Sequence, residues 1–194
     1  MNKSDNKKYL FGFIGPSGSG KTTLAKHLVK KLDFLYIPSI TTRQKRSSDK
    51  SEYKHISVKE FEDHINNEEI LEYTVFAGNY YGKLKKDVKR SLDLNHSVYT
   101  LTPDQVKNLR KEYKETKIIL VLPERPILNT VKSRLEKRGH TKEEILIRLK
   151  EVEKELKLIK DLKDKNLIDK IIHTLENDYS HAIKKIHSFA KKHL

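Results

Sequence analysis

Eight consecutive residues near the start of the chain restrict its possible folds more than any other segment. Residues 15–22, GPSGSGKT, fit the pattern G-x-x-x-x-G-K-[ST] in full. They follow residues 9–14, an apolar run that predicts a buried strand, and lead into residues 21–32, where leucines four apart predict a helix. A glycine-rich loop in this setting turns successive backbone N–H groups towards one point, at the positive end of the helix. The segment therefore predicts a loop that binds the phosphates of a nucleoside triphosphate.

The side chains of this loop have separate expected roles. Lys21 can reach the β- and γ-phosphate oxygens, and the Thr22 hydroxyl can bind the Mg²⁺ that accompanies the triphosphate. The residues expected to contact the phosphates are Gly15, Ser17, Gly18, Ser19, Gly20, Lys21, Thr22 and Thr23. The alternative is a glycine-rich turn that binds no ligand.

Apolar periodicity along the rest of the chain predicts strands and helices in alternation. Strands are expected at residues 9–14, 35–38, 70–76, 97–101, 117–122 and 168–172, and helices at residues 21–32, 58–66, 84–94, 103–113, 127–137, 179–192 and from residue 142 onward. Residues 78–82 contain two glycines and are expected to form the turn that ends the third strand. Because strands that alternate with helices form parallel sheets covered on both faces, we expect one α/β domain over residues 1–194.

The helix that begins near residue 142 carries an apolar stripe. Its members are Ile145, Leu149, Val152, Leu156 and Ile159. Such a stripe can dock a partner helix or pack on the protein's own core, and we expect the second arrangement.

Composition excludes several classes of protein. The chain has no cysteine, which rules out disulfides, thiolate metal sites and a cysteine nucleophile. No apolar run approaches the ~20 residues that span a bilayer, and residues 1–8 are polar without the apolar region of a secretion signal. We therefore expect a soluble, cytoplasmic protein that does not bind membranes. The net charge of +14 comes mostly from lysine, with eight arginines, and is typical of solvated helix faces rather than of a specific nucleic-acid surface.

Further segments match one family. They are GPSGSGKTTL at residues 15–24, SITTR at 39–43 followed by Arg46, Tyr53, LEY at 71–73, GNYYG at 78–82, Arg134, Arg138 with Gly139, and Arg148. In these segments, from about residue 9 to about residue 156, the chain resembles the guanylate kinases, which are nucleoside-monophosphate kinases. The last expected strand and helix match only loosely.

The resemblance implies a P-loop kinase fold. In such a fold a parallel sheet is flanked by helices, and it carries an inserted monophosphate-binding subdomain and an arginine lid. By this resemblance the core corresponds to residues 1–38, 97–132 and 151–194, the monophosphate-binding region to 39–96 and the lid to 133–150. ATP and Mg²⁺ are the implied cofactors. Small nucleotides are the implied partners, and the motifs do not specify an oligomeric state.

The residues themselves suit phosphoryl transfer to a monophosphate. Arg43 and Arg46 can clamp a phosphate dianion, with the Tyr53 and Tyr81 hydroxyls as neutral donors. Since the attacking atom is an anionic phosphate oxygen, no general base is needed, and catalysis consists of positioning and charge neutralisation. The expected catalytic residues are Lys21, Arg43, Arg134, Arg138 and Arg148, and the expected acceptor-binding residues are Ser39, Thr41, Arg43, Arg46, Tyr53, Glu72 and Tyr81. The alternative for each arginine is a solvated charge or a surface ion pair.

Base recognition is expected to depend on Glu72. Guanine offers two adjacent donors, N1–H and the 2-amino group, to one carboxylate, and Ser39 or Thr41 can donate to O6. The alternative for Glu72 is a surface partner for a basic side chain.

The chain also departs from the family pattern. Thr100 and Thr102 stand where the family has acidic residues, and Asp104 is displaced; Lys83 replaces a small hydroxyl residue, and the family's late asparagine is replaced near His173. The phosphate-handling residues are thus retained, whereas the base-recognition residues differ.

The leading hypothesis is therefore an enzyme that transfers phosphate from ATP to GMP or dGMP. Another nucleotide or a sugar phosphate is the alternative acceptor, although a sugar phosphate has no base for Glu72 to bind. A non-catalytic guanylate-kinase-like module and a nucleic-acid-binding protein are the remaining alternatives. The complete phosphate loop argues against the first, and only the net charge favours the second.

Overall fold

The computed structural model describes residues 7–45, 51–175 and 178–194, which form nine strands and seven α-helices. The strands are β1 (Leu10–Ile14), β2 (Leu35–Tyr36), β3 (Ser39–Thr41), β4 (Tyr53–His55), β5 (Ile70–Phe76), β6 (Asn79–Leu84), β7 (Ser97–Thr100), β8 (Thr116–Pro123) and β9 (Lys170–Thr174). The helices are α1 (Lys21–Leu32), α2 (Val58–Asn66), α3 (Lys85–Leu94), α4 (Val106–Glu112), α5 (Ile127–Glu136), α6 (Lys142–Asp164) and α7 (Ser180–Lys191). One 3-10 turn, Pro103–Gln105, precedes α4.

The central sheet has five parallel strands in the order β2-β7-β1-β8-β9. All five residues of β1 are buried, and so are seven of the eight residues of β8. Such nearly continuous apolar strands are typical of parallel sheets covered on both faces, because neither side of the strand meets water. The prediction of a parallel α/β sheet is confirmed.

Side chains of β1 alternate between two apolar clusters. Leu10 and Ile14 belong to the cluster that includes residues of α3, α4 and α6. Phe11 and Phe13 belong to the cluster that includes residues of α1 and α7. The apolar stripe of α6 packs against this core and against α5, so the prediction that it covers the protein's own core is confirmed.

A second sheet, in the order β4-β3-β6-β5, stands beside the first in the chain segment expected to be the acceptor region. The expectation of a turn at residues 78–82 is wrong for most of that segment, because Asn79–Leu84 is strand β6, antiparallel to β5 and to β3. The turn is confined to Ala77 and Gly78, which both have positive φ, at 48° and 73°. Two successive positive φ values match the twist of a tight hairpin, which allows β6 to begin at once. Strands β3 and β4 were not expected either.

Candidate active site

The phosphate loop connects β1 to α1, and its glycines are required by its backbone. Gly15 has φ of 135°, and a Cβ there would lie 2.0 Å from the carbonyl oxygen of Val121. Gly20 has φ of 96°, and a Cβ there would lie 2.6 Å from the ring of Tyr179. Any side chain at either position would therefore deform the loop and move its backbone N–H groups.

Lys21 occupies the first position of α1 and turns back over the loop. Its Nζ donates to the carbonyl oxygens of Gly15, at 2.5 Å, and of Pro16, at 2.9 Å. Burial lowers the pKa of Lys21, the Glu155 carboxylate opposes this effect, and the nearby charge of Arg138 adds to it. An ammonium group that is already partly desolvated interacts strongly with phosphate oxygens.

The loop residues fit a bound triphosphate with its magnesium ion. The Ser19 hydroxyl is buried and has no hydrogen-bond partner among the described residues, so a polar group inside the loop remains unsatisfied. Thr22, at the second position of α1, is partly exposed and can present its hydroxyl to Mg²⁺. Within the described ranges, no group of three or more histidine, aspartate or glutamate side chains is placed to hold a metal ion.

The three arginines between residues 133 and 150 have different environments. Arg134 is buried, and its guanidinium donates to the carbonyl oxygens of Gly18, at 2.9 Å, and Thr174, at 3.2 Å. Arg138 is exposed and acts on Lys21 only through its charge. Arg148 donates to the Ser17 hydroxyl at 3.2 Å and lines a cavity between the phosphate loop and the second sheet.

The cavity has a volume of about 490 Å³ and extends from the phosphate loop to the second sheet. Nine of the residues expected in the site line it: Gly15, Ser17, Lys21, Ser39, Arg43, Tyr53, Glu72, Tyr81 and Arg148. This volume is in the range typical of small-molecule sites. The structure therefore brings together residues from both ends of the expected phosphoryl-transfer reaction.

The described residues expected to hold the acceptor phosphate lie on or next to β3, β4 and β6. The Arg43 guanidinium carbon lies 5.3 Å from the centre of the Tyr53 ring, and the rings of Tyr53 and Tyr81 meet edge to face at 6.3 Å. These contacts bring one guanidinium and two tyrosines together, and these are the donor types expected for a phosphate dianion. Arg46 lies outside the described residues.

Ser39 and Glu72 form the deeper wall of the same cavity. Glu72 is only 9% exposed, and burial raises the pKa of its carboxyl, an effect that the positive charge of Lys83 opposes and the nearby Asp104 increases. Thr41 has another task, because its hydroxyl donates to the carbonyl oxygen of Tyr80 at 2.8 Å and accepts from the Arg43 N–H. Of the two hydroxyls expected to meet the base, Ser39 is the one that lines the cavity.

Some cavity residues escaped the sequence analysis. Glu151 and Glu155 line the cavity from α6, one and two turns after Arg148. Burial raises the pKa of Glu155, and the Lys21 charge opposes that effect. Their spacing from Arg148 places all three on one helix face, and this signal could have revealed them. Thr100, Thr102 and Asp104, already noted as departures from the family pattern, line the cavity as well, from the end of β7 to the 3-10 turn.

Comparisons with known proteins point to one family. The family model described as guanylate kinase matches residues 8–192. The guanylate kinase of Clostridium tetani is 35% identical over 187 residues, which covers 94% of this chain and 85% of that protein. The guanylate kinase of Clostridium acetobutylicum is 32% identical over 94% of this chain and 84% of that protein.

The fold is shared with a solved structure as well. The crystal structure of guanylate kinase from Anaplasma phagocytophilum superposes with a TM-score of 0.69 over 95% of this chain and 85% of that chain, at 18% identity. Among the described residues, no helix is long and apolar enough to cross a membrane. Since the family model spans nearly the whole sequence and curated relatives exceed 30% identity over most of both chains, the chain belongs to the guanylate kinase family.

Proposed function

We propose that the protein transfers the γ-phosphoryl group of ATP to GMP and releases ADP and GDP. The observation that carries this proposal is the single cavity that joins the phosphate loop, with Lys21 and Arg148, to an acceptor wall formed by Tyr53 and Glu72. The relatives named guanylate kinase support the same reaction.

The donor end of the cavity neutralises charge. Backbone N–H groups of the loop and the Lys21 ammonium hold the β- and γ-phosphates, and Arg148 stabilises the transferring group from α6. The Thr22 hydroxyl would hold the Mg²⁺ that accompanies the triphosphate, and the ion would supply positive charge to offset the charge that develops on the leaving ADP. In this proposal, residues 133–150 act as the lid that excludes water.

The acceptor end of the cavity positions the GMP phosphate for attack. Arg43 with the Tyr53 and Tyr81 hydroxyls holds the GMP phosphate so that one of its oxygens attacks the γ-phosphorus opposite the leaving oxygen. The new P–O bond forms as the bond to the β-phosphate oxygen breaks, and the electron pair leaves with ADP. The attacking oxygen is already anionic, so no proton needs to be removed.

Glu72 and Ser39 give this acceptor end its preference for guanine. Glu72 accepts from N1–H and the 2-amino group, while Ser39 donates to O6. Adenine presents the opposite polarity on this edge and leaves the buried carboxylate unpaired, which is costly.

The test is ADP formation with ATP and Mg²⁺ against GMP, dGMP, AMP, dAMP, CMP, UMP, dTMP and ribose 1,5-bisphosphate. Guanine nucleotides are expected to be used at least ~10²-fold better than the others in kcat/KM. Transfer to none of the nucleotides would contradict the proposal, and transfer to the sugar phosphate alone would assign another acceptor.

A matched pair of variants tests base recognition directly. Glu72→Gln replaces the acceptor carboxylate by an amide and is expected to reduce the GMP-to-AMP ratio of kcat/KM by ~10²-fold with little change in the KM for ATP. Glu62→Gln makes the same change on the exposed face of α2 and is expected to behave like the wild type. Unchanged selectivity in Glu72→Gln would place base recognition elsewhere.

A further inference from the structure

Lys83 is a fully buried lysine that the reaction described above does not use. Its side chain has 0% exposure, and its Nζ donates to the carbonyl oxygen of Ile37 and to the Ser39 hydroxyl, both at 2.8 Å. The Nζ also lies 5.0 Å from the centre of the Tyr99 ring. Lys83 therefore lies behind the cavity wall that Ser39 and Glu72 present to a ligand.

The hydrogen bond from Lys83 determines the polarity of Ser39. A lysine ammonium has three donors and no acceptor, so the Ser39 oxygen must accept from it. While Lys83 is charged, the one proton of the Ser39 hydroxyl cannot return to it and is available to another acceptor. Because Ser39 lines the cavity, an oxygen of a bound base is such an acceptor.

The charge of Lys83 also acts on Glu72. The two residues are directly opposite in the antiparallel pairing of β5 with β6, so their side chains lie on one face of the second sheet. Burial raises the pKa of Glu72, and Lys83 is the group that opposes this rise. Burial lowers the pKa of Lys83, and Glu72 is the largest opposing influence. Each buried group thus favours the charged form of the other.

We infer that Lys83 is a positioning residue for base recognition, which orients Ser39 as a donor and favours Glu72 as an anionic acceptor. The wall then offers one donor beside an acceptor for two N–H groups, the complement of the guanine edge. This inference rests on the proposed function, since it explains how that site selects its acceptor.

Other charged groups that face Lys83 and Glu72 also change the pKa values of these two residues, but they do not replace the mutual influence of the pair. Asp104 raises the pKa of Glu72 from the carboxyl end of β7. Asp87 on α3 and Lys54 on β4 act on Lys83 with opposite signs, and they form an ion pair with each other at 2.8 Å. Tyr99, whose own pKa is raised well above its ordinary value by burial and by Glu72, stays a neutral neighbour.

Direct binding tests the inference without requiring turnover. Titration calorimetry would compare GMP with AMP on the wild type, on Lys83→Met and on Lys86→Met, a control at an exposed lysine of α3. Lys83→Met is expected to lower the GMP-to-AMP affinity ratio by about tenfold and to leave ATP affinity within about twofold. Equal weakening of GMP, AMP and ATP would indicate a merely structural lysine and would overturn the inference.

The Ser39 contribution is separated by a double-mutant cycle. If Lys83 acts partly through Ser39, the losses in the GMP-to-AMP ratio caused by Ser39→Ala and by Lys83→Met will not multiply in the double variant. Fully multiplicative losses would overturn this half of the inference.

The Glu72 contribution is separated by pH. Without Lys83 the Glu72 carboxyl should protonate more easily. The acidic limb of the pH profile, where GMP affinity falls, should therefore shift to a pH higher by roughly one unit. The GMP phosphate titrates near pH 6 in every variant, so only the displacement relative to the wild type is informative. Lys83→Gln, which keeps a donor but no charge, should show the same displacement and serves if Lys83→Met does not fold. An unmoved limb overturns this half.

The outcomes distinguish the inference from the proposed function. A wild type that prefers GMP in binding but transfers no phosphate contradicts the proposed function alone. A wild type that phosphorylates GMP while Lys83→Met keeps its full preference contradicts the inference alone. A wild type that binds GMP no more tightly than AMP contradicts both.

Discussion

Arg148 Nη1 donates a hydrogen bond to Ser17 Oγ at 3.2 Å, across 131 residues of chain. The same guanidinium lies 5.1 Å from the centre of the Phe76 ring, at the end of β5. One arginine on α6 therefore contacts both the phosphate loop and the second sheet. In the proposed reaction, a group in that position would meet the phosphoryl group as it passes from donor to acceptor.

Arg148→Ala is expected to lower kcat by ~10²-fold or more, because it removes a charge next to the transferring phosphoryl group. Arg148→Lys should recover only part of this loss, since an ammonium lacks the forked geometry of a guanidinium. Steady-state kinetics checks both variants, with Lys150→Ala on the exposed face of α6 as the control. A kcat within about twofold of the wild type in Arg148→Ala would exclude Arg148 from the reaction.

Lys21→Ala is expected to reduce phosphoryl transfer by ~10³-fold or more, because no other side chain of the loop carries a charge to the β- and γ-phosphates. The measurement is single-turnover formation of ADP at saturating nucleotide. Lys30→Ala, an exposed lysine on the same helix, is the matched control and should retain full activity. Substantial turnover by Lys21→Ala would mean that the loop binds nucleotide without taking part in catalysis.

Ser57→Ala is expected to lower the free energy of unfolding by about 0.5–2 kcal/mol. Ser57 forms a capping box with Glu60 at the start of α2: its hydroxyl accepts from the Glu60 N–H at 3.1 Å, and the Glu60 carboxylate accepts from the Ser57 N–H at 2.7 Å. Denaturant titration measures the change. Ser188→Ala is the same substitution at a solvent-exposed position away from the ends of α7, and it should be neutral or slightly stabilising. Equal effects at the two sites would rule out the cap as the cause.

His96 is expected to make the protein less stable as the pH falls. Burial lowers the pKa of His96 below its ordinary value of 6.5, and the charges of Lys8 and His193 add to the effect. The Tyr9 N–H donates to Nδ1 of His96 at 3.1 Å, which requires that nitrogen to be unprotonated. The unfolded chain therefore binds a proton more readily, and stability is lost as the pH drops from 6.5 towards the folded pKa.

The comparison that isolates His96 uses His96→Asn, which retains an acceptor for Tyr9 but cannot titrate. The variant is expected to show a smaller decrease in unfolding free energy between about pH 7 and about pH 5 than the wild type. His181→Asn, on the exposed face of α7, should keep the wild-type slope. An identical slope in His96→Asn would show that other groups cause the acid sensitivity.

The sequence pattern of a single segment was sufficient to predict the elements that do not depend on pairing with distant segments. Helix α1 has the bounds expected from its leucine spacing, and β5 has the bounds expected from its apolar run. Strand β6 was missed because the glycines of residues 78–82 resemble a turn, whereas its pairing with β5 and β3 decides the conformation. Strands of three residues, such as β3 and β4, carry too few side chains for a periodic signal.

The residues of the candidate site could be predicted where they belong to a sequence motif, such as the phosphate loop. They were harder to predict where tertiary packing determines the position of the side chain. Ser39 and Thr41 looked equivalent in the sequence, and alternation places both on one face of β3. They differ because the Thr41 hydroxyl bonds to the backbone of Tyr80 and Arg43, whereas Ser39 lines the cavity. Glu155 shares a helix face with Arg148, which the spacing already indicates, but the orientation of α6 was needed to show that this face lines the cavity. Lys83 stood out as a departure from the family pattern, but its relation to Ser39 depends on the pairing of distant strands.

Gly20 of the phosphate loop lies against Tyr179, a residue at the start of α7 that belongs to no sequence motif. A Cβ at residue 20 would collide with the Tyr179 ring. Intolerance of substitution at residue 20 would ordinarily be attributed to nucleotide chemistry alone. Here the Tyr179 ring, at the start of α7, adds to that restriction. A smaller side chain at residue 179 would remove the collision and leave the positive φ of Gly20 as the remaining barrier.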